Sequence, residues 1–315
     1  MSHQASVSPE GPAPTIVTGA LLMSVVCHWA DGLVTACAGV VAEGPCYIAV
    51  QPQDRRWASQ MGEGYYGRNG TLGLATPQAN PTAETEFRAL LPEGVGCATV
   101  RMASEATDPE ARLRAYFTDI ADTLNRFDTL AMQAVGLACT GSSYLLGHDV
   151  VEANLAELSA HREQPIVSAA SAIEQALAHL GARSIALICP YPQWLLDAAD
   201  THWQSRGFDV VDQVSLDPGQ GDTRAIYGLT PRDAAERITS RWQNRQADAY
   251  LITGTGLPTL RVVAELSETL PGHVLSSNLC LAWATLQIAG IDSGALAPTT
   301  HMPLLAGWAP RIDQL

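Results

Sequence analysis

From Thr71 onward the chain alternates short apolar runs with amphipathic stretches, and this rhythm restricts the fold more than any other feature. Residues 71–75 (ending at Pro77), 96–102, 130–137 and 165–169 read as strands. Residues 82–91, 109–125, 150–160 and 171–180 carry helical periodicity, and the last stretch stops at Gly181. The pattern then restarts. Strands are expected at 184–188, 210–216, 249–253 and 273–276, and helices at 193–205, 230–244, 257–266 and 279–289. A strand that returns parallel to its predecessor needs a crossover, so this alternation predicts parallel sheets with helices on both faces. The expected fold class is α/β with two lobes, the product of an internal duplication. The first lobe is 71–182, carrying Cys139, and the second is 183–284, with 285–315 returning to the first.

Residues 1–70 stand outside this rhythm. Residues 1–14 are polar and Pro-rich and read as a disordered tail, 15–50 as short strands between Gly-bearing turns, and 51–70 as a linker or flap. The first residues lack a basic n-region, and the apolar run from Ile16 to Val26 is too short to span a bilayer, so a cytoplasmic protein is expected. The net charge of −14 argues against nucleic acid or an anionic membrane as partner. Seven cysteines, an odd number without a CxxC pair or zinc-like spacing, fit free thiols in a reducing compartment. No GxGxxG or Walker sequence accompanies the strands, so no nucleotide cofactor is expected, and no metal.

One strand end carries the clearest chemistry. The apolar run that closes at Leu137 is followed by Ala138-Cys139-Thr140-Gly141-Ser142-Ser143-Tyr144. This places a thiol at the carboxyl end of a buried strand, over the free amides of a turn that starts a helix. Such amides and the helix dipole favour a thiolate, and can hold a carboxylate or enolate oxygen beside it. The competing reading is a buried structural cysteine, as expected for Cys27, Cys37, Cys46, Cys97, Cys189 and Cys280 in their apolar surroundings.

Other strand ends bear polar groups that converge if the sheets are open and parallel: Pro77 to Asn80, Pro190-Tyr191, Thr253 to Thr259 and Ser276-Ser277-Asn278. With Asp222-Thr223-Arg224-Ala225-Ile226-Tyr227, these segments cover residues 71–290 in order. Together they make the chain resemble the aspartate/glutamate racemase superfamily, in the branch of maleate cis–trans isomerase and arylmalonate decarboxylase. The resemblance implies two pseudo-symmetric lobes, no cofactor, a small carboxylate substrate, association into oligomers, and two cysteines facing the substrate from opposite sides. Cys139 matches the first-lobe cysteine. Gly254, in Ile252-Thr253-Gly254-Thr255-Gly256, falls where the second-lobe cysteine would be.

A two-base racemase needs one thiol to remove a proton and another to return it on the far face. With one thiol two chemistries remain. Cys139 thiolate could add reversibly to a maleate-like double bond and allow cis–trans isomerisation. Alternatively, a malonate-like substrate could lose CO₂ and take a proton from the Cys139 thiol. A third reading is a non-catalytic carboxylate-binding protein. The isomerase is preferred, because Asn80 and Asn278 match a dicarboxylate-gripping pattern. Tyr191 and Thr140 are the further catalytic candidates, donating to an oxyanion. Pro77, Gly141, Ser142, Gly254, Thr255 and Gly256 complete the expected substrate-binding set. Arg224 is read equally as a carboxylate partner and as the structural mate of Asp222, His148 as a surface residue, and Trp194 and Trp283 as packing groups.

Overall fold

The computed structural model describes residues 67–219, 221–242, 246–293, 298–299 and 301–312. The expectations for 1–66, and for Cys27, Cys37 and Cys46, lie outside these residues. The first sheet comprises β1 (Thr71–Pro77), β2 (Gly96–Met102), β3 (Ala134–Leu137) and β4 (Ile166–Ser168), in spatial order β2-β1-β3-β4 and parallel throughout. The second repeats the plan with β5 (Ser184–Cys189), β6 (Asp209–Ser215), β7 (Ala249–Ile252) and β8 (His273–Ser276), in order β6-β5-β7-β8. The matching order is the duplication written into the topology. Strands β3 and β7 are buried at every position, which is why they read as unbroken apolar runs rather than as alternation.

In the first lobe the helices are α1 (Ala83–Leu90), α2 (Pro109–Thr118), α3 (Ile120–Asn125), α4 (Thr140–Leu146), α5 (His148–Arg162) and α6 (Ala169–His179). Pro109 opens α2, and the Asp108 carboxylate caps it at Ala111 N, 2.7 Å away. The expected single helix over 109–125 is divided at Asp119, whose backbone (φ −95°, ψ 18°) leaves the helical region. Gly147, at φ +85°, divides α4 from α5, so the helix behind Cys139 is short.

The second lobe holds α7 (Gln193–Ser205), a 3₁₀ turn (Thr223–Gly228), α8 (Pro231–Trp242), α9 (Leu260–Ser267) and α10 (Ser277–Ile288), followed by the short α11 (Ala309–Ile312). Helix α9 begins three residues later than its periodicity suggests, because 254–259 form the loop that reaches across to the first lobe. Helix α10 leaves β8 of the second sheet yet packs on α6, α1, β3 and β4 of the first. Its residues from Ser277 to Leu286 are all buried, which accounts for its all-round apolar sequence.

In both sheets the crossovers reverse direction between the first and third strands, β1/β3 and β5/β7. That switch point, at the carboxyl ends, is where open α/β sheets place ligands. Pro77, Cys139, Tyr191 and the 253–259 loop all issue from these four strands.

Candidate active site

A small cavity lies where the four strand ends meet. Its wall includes Pro77, Asn80, Cys139, Thr140 and Gly141 from the first lobe, and Tyr191, Thr255 and Gly256 from the second. Its volume is about 40 Å³.

Cys139 is nearly buried and occupies the N-cap position of α4. Burial pushes its thiol pKa up, while Ser142 Oγ and the amides of Ser142 and Gly141 pull it back. With α4 only seven residues long, this anion support comes from local amides rather than a long helix dipole. Ser142 Oγ lies 3.2 Å from Cys139 Sγ and 2.6 Å from the Leu113 carbonyl. Its single proton serves one of these two acceptors at a time, so it can pass from the carbonyl to the sulfur when the thiol ionises. Among the described residues Cys139 is the sole cysteine in the cavity wall. Cys189, at the end of β5, is bonded to Thr253 Oγ1 at 3.0 Å and pushed up to about 12 by burial, as a core thiol should be.

Tyr191 and Thr140 meet hydroxyl to hydroxyl at 2.6 Å across the lobes. Burial raises the tyrosine's pKa above its ordinary value, so it is a neutral donor. Gly254 sits at φ +92°, and a Cβ built there falls 2.7 Å from Pro190 Cγ and 3.3 Å from the Tyr191 hydroxyl. The phenol and the proline therefore occupy the space where a second-lobe side chain would begin. Gly254 is not itself in the cavity wall.

Asn80 Oδ1 accepts from the amides of Thr82 and Ala83, which fixes the amide orientation and caps α1. Its Nδ2 donates to Thr255 Oγ1 at 3.1 Å, and Thr255 Oγ1 donates to the Ala138 carbonyl at 2.7 Å. Thr255 thus crosses from the second lobe to the residue before Cys139, a side-chain role beyond the backbone amide expected of it. Gly256 lets the Tyr227 ring lie against the loop, since a Cβ there would fall 2.4 Å from Tyr227 Cε1.

Asn278 requires correction. It is absent from the cavity wall, and both Nδ2 protons are used, one by Glu86 Oε2 at 2.7 Å and one by the Thr255 carbonyl at 3.1 Å. Two acceptors on that side fix the amide, so Asn278 braces the loop instead of gripping ligand. Glu86, on α1, is the centre of this brace. Its buried carboxylate accepts from Thr259 N, Thr259 Oγ1, Leu260 N and Asn278 Nδ2, capping the first turn of α9 from the opposite lobe. Burial raises its pKa, and these four donors act against that rise.

Several wall residues were not expected. Arg112, Leu113 and Tyr116 come from α2, Leu195 from α7, and Thr223, Ile226 and Tyr227 from the 3₁₀ turn. Arg224 belongs to the wall and forks onto Asp222, so its pairing with Asp222 is realised. His148 is not simply a surface group: it is partly buried, with Nδ1 3.5 Å from Glu174. Trp283 packs, at 8% exposure, and Trp194 rests on the core. Among the described residues there is no cluster of metal-binding side chains, and no helix is long and apolar enough to cross a membrane.

A family model described as arylmalonate decarboxylase matches residues 72–300, more than two thirds of the chain and both sheets. The chain belongs to the arylmalonate decarboxylase family. Among relatives of this family member, the maleate isomerase of Geobacillus stearothermophilus is 28% identical over 232 residues, covering 69% of this chain and 90% of that one. The maleate isomerase Iso of Pseudomonas putida S16 superposes with a TM-score of 0.67 at 23% identity, over 76% of this chain and 99% of that one. The Nocardia farcinica maleate cis–trans isomerase, solved as a cysteine-to-serine variant with a covalently bound succinylcysteine intermediate, gives 0.63 at 22% identity, over 71% and 94%. These two likenesses establish the shared fold.

Proposed function

We propose that this protein is an isomerase that interconverts cis and trans forms of a maleate-like dicarboxylate through reversible addition of Cys139. The observation that carries this reading is a single cavity-lining thiol, facing the Thr140–Tyr191 hydroxyl pair, at the switch points of both sheets. The Cys139 thiol first releases its proton to solvent, regaining it after turnover, and the thiolate adds to one alkene carbon. A C–S bond forms, and the π electrons move onto the neighbouring carboxylate as an enediolate. Thr140 and Tyr191 donate to that oxyanion. The former double bond is now single and rotates; the enediolate then reforms the alkene and expels the thiolate. No proton enters or leaves carbon, so no second acid is required and Gly254 is no obstacle. The curated relatives named maleate isomerase support the substrate class.

A lyase is the second reading, favoured by one observation. Burial favours the thiol form of Cys139, and a thiol suits protonation of the carbanion left by CO₂ loss.

Proton NMR in D₂O, with wild type beside Cys139→Ala, tests both. Conversion of maleate to fumarate without C–D formation, lost in the alanine variant, supports the isomerase. Loss of CO₂ from a malonate with one deuterium placed on carbon overturns it in favour of the lyase. Binding without turnover of either substrate overturns both.

A further inference from the structure

The mechanism above uses no cationic side chain, yet the cavity wall has two. Among the described residues Arg112 and Arg224 are its only Arg, Lys, Asp or Glu side chains, in a chain of net charge −14. We propose that Arg112, supported by Arg224, anchors a second carboxylate of the substrate, so that this pocket selects dianions over monoanions. The inference rests on reading the cavity as the substrate site, and not on which reaction follows.

Arg112 is 1% exposed, and a cation taken so far out of water must be compensated. Three of its five N–H donors have partners: the Thr107 carbonyl at 3.4 Å, Asp222 Oδ1 at 2.6 Å and Thr223 Oγ1 at 3.3 Å. The other two have none among the described residues. Its counter-ion is shared, because Arg224 Nε and Nη2 also fork onto Asp222, at 3.1 and 2.6 Å. Asp222 itself is not in the wall. Arg112 and Arg224 both line the cavity and share one carboxylate, Asp222, which does not, so the three side chains together carry one net positive charge. The placement relative to the thiol is rigid. Leu113, next in the chain, holds Ser142 by its carbonyl, and Ser142 holds Cys139. A carboxylate on a planar guanidinium is fixed in direction as well as held, which suits a substrate whose other end must present one carbon to sulfur.

The test is calorimetric, in the Cys139→Ala background, with succinate and butyrate as chain-length-matched probes. Succinate is expected to bind about tenfold or more tighter than butyrate, as a desolvated ion pair requires. Arg112→Gln should bring the ratio close to one, and Arg112→Lys should restore part of it as a point charge. Asp222→Asn, which removes the competing carboxylate, should raise succinate affinity several-fold while lowering the melting temperature. These last two variants decide the matter if Arg112→Gln does not fold. A succinate preference that survives in folded Arg112→Gln overturns the proposal, as does tighter binding of butyrate than succinate by the parent. If maleate is not isomerised but the succinate preference depends on Arg112, the reaction assignment falls and the anchor stands. Unaltered maleate turnover in Arg112→Gln has the opposite meaning.

Discussion

Restoring the second thiol is the obvious attempt to turn this chain into a racemase, and the structure predicts that it fails through backbone conformation. Gly254 sits at φ +92°, beyond the left-handed region that side chains tolerate. Holding a non-glycine residue in left-handed backbone costs about 1–2 kcal/mol. The new Cβ also meets Pro190 Cγ at 2.7 Å and Cδ at 3.2 Å. A pyrrolidine ring has no rotamer to escape into, so overpacking adds about 1–3 kcal/mol. Gly254→Ala isolates these costs without a thiol, at about 2–5 kcal/mol in total. For a folded body of this size each kcal/mol moves the midpoint by about 2–4 °C, so Gly254→Ala should melt roughly 4–20 °C below wild type. Gly254→Cys should melt at least as low. Because the same Cβ lies 3.3 Å from the Tyr191 hydroxyl, activity should fall along with stability. Differential scanning calorimetry and α-proton exchange of chiral diacids in D₂O measure the two consequences. A Gly254→Ala midpoint within about 2 °C of wild type, or stereochemically unselective exchange by Gly254→Cys, would refute the reasoning.

Other expectations are more compact. Tyr191→Phe removes one donor of the hydroxyl pair and should lower kcat by about 10²–10³ with an intact fold, read from steady-state kinetics; an unchanged kcat removes Tyr191 from the oxyanion site. Addition requires thiolate, and burial places Cys139 above an ordinary thiol, so kcat/KM should still be climbing with pH beyond neutrality; a plateau by pH 7 would contradict it. Glu86→Gln turns one acceptor oxygen into a donor facing Asn278, and should cost about 2–4 kcal/mol in urea titrations; full stability would mean the brace is dispensable. His202 is buried and lowered from 6.5 to about 4 by desolvation, so the unfolded chain takes its proton first. Its contribution is whole above pH 6.5 and drains away as pH falls toward 4, by roughly 3 kcal/mol, and His202→Phe should flatten that part of the stability profile.

The two-lobe plan was legible because buried parallel strands are apolar without interruption, and because both halves repeat the same rhythm. Cys139, Thr140 and Tyr191 were legible because strand-end position is a local property. What escaped was non-local. Arg112 stands beside Leu113 and Tyr116 on an amphipathic helix, where a charge ordinarily faces water; its partner Asp222 is 110 positions away. Asn278 looked like a ligand group because its partner Glu86 is 192 positions distant. The available signal was indirect: Ser277-Asn278 opens an otherwise apolar helix, and polar side chains buried in such a place must find partners.

Helix α10 has a consequence for how the protein comes into being. The first sheet is synthesised early, yet the helix that covers β3 and β4 and packs on α1 and α6 is encoded after the last strand of the second sheet. A chain emerging from the ribosome therefore exposes an apolar face of its first half until nearly the whole polypeptide is made. The first half thus lacks its own cover, and a product ending before Ser277 leaves an open flank suited to trapping the same helix from a neighbouring molecule.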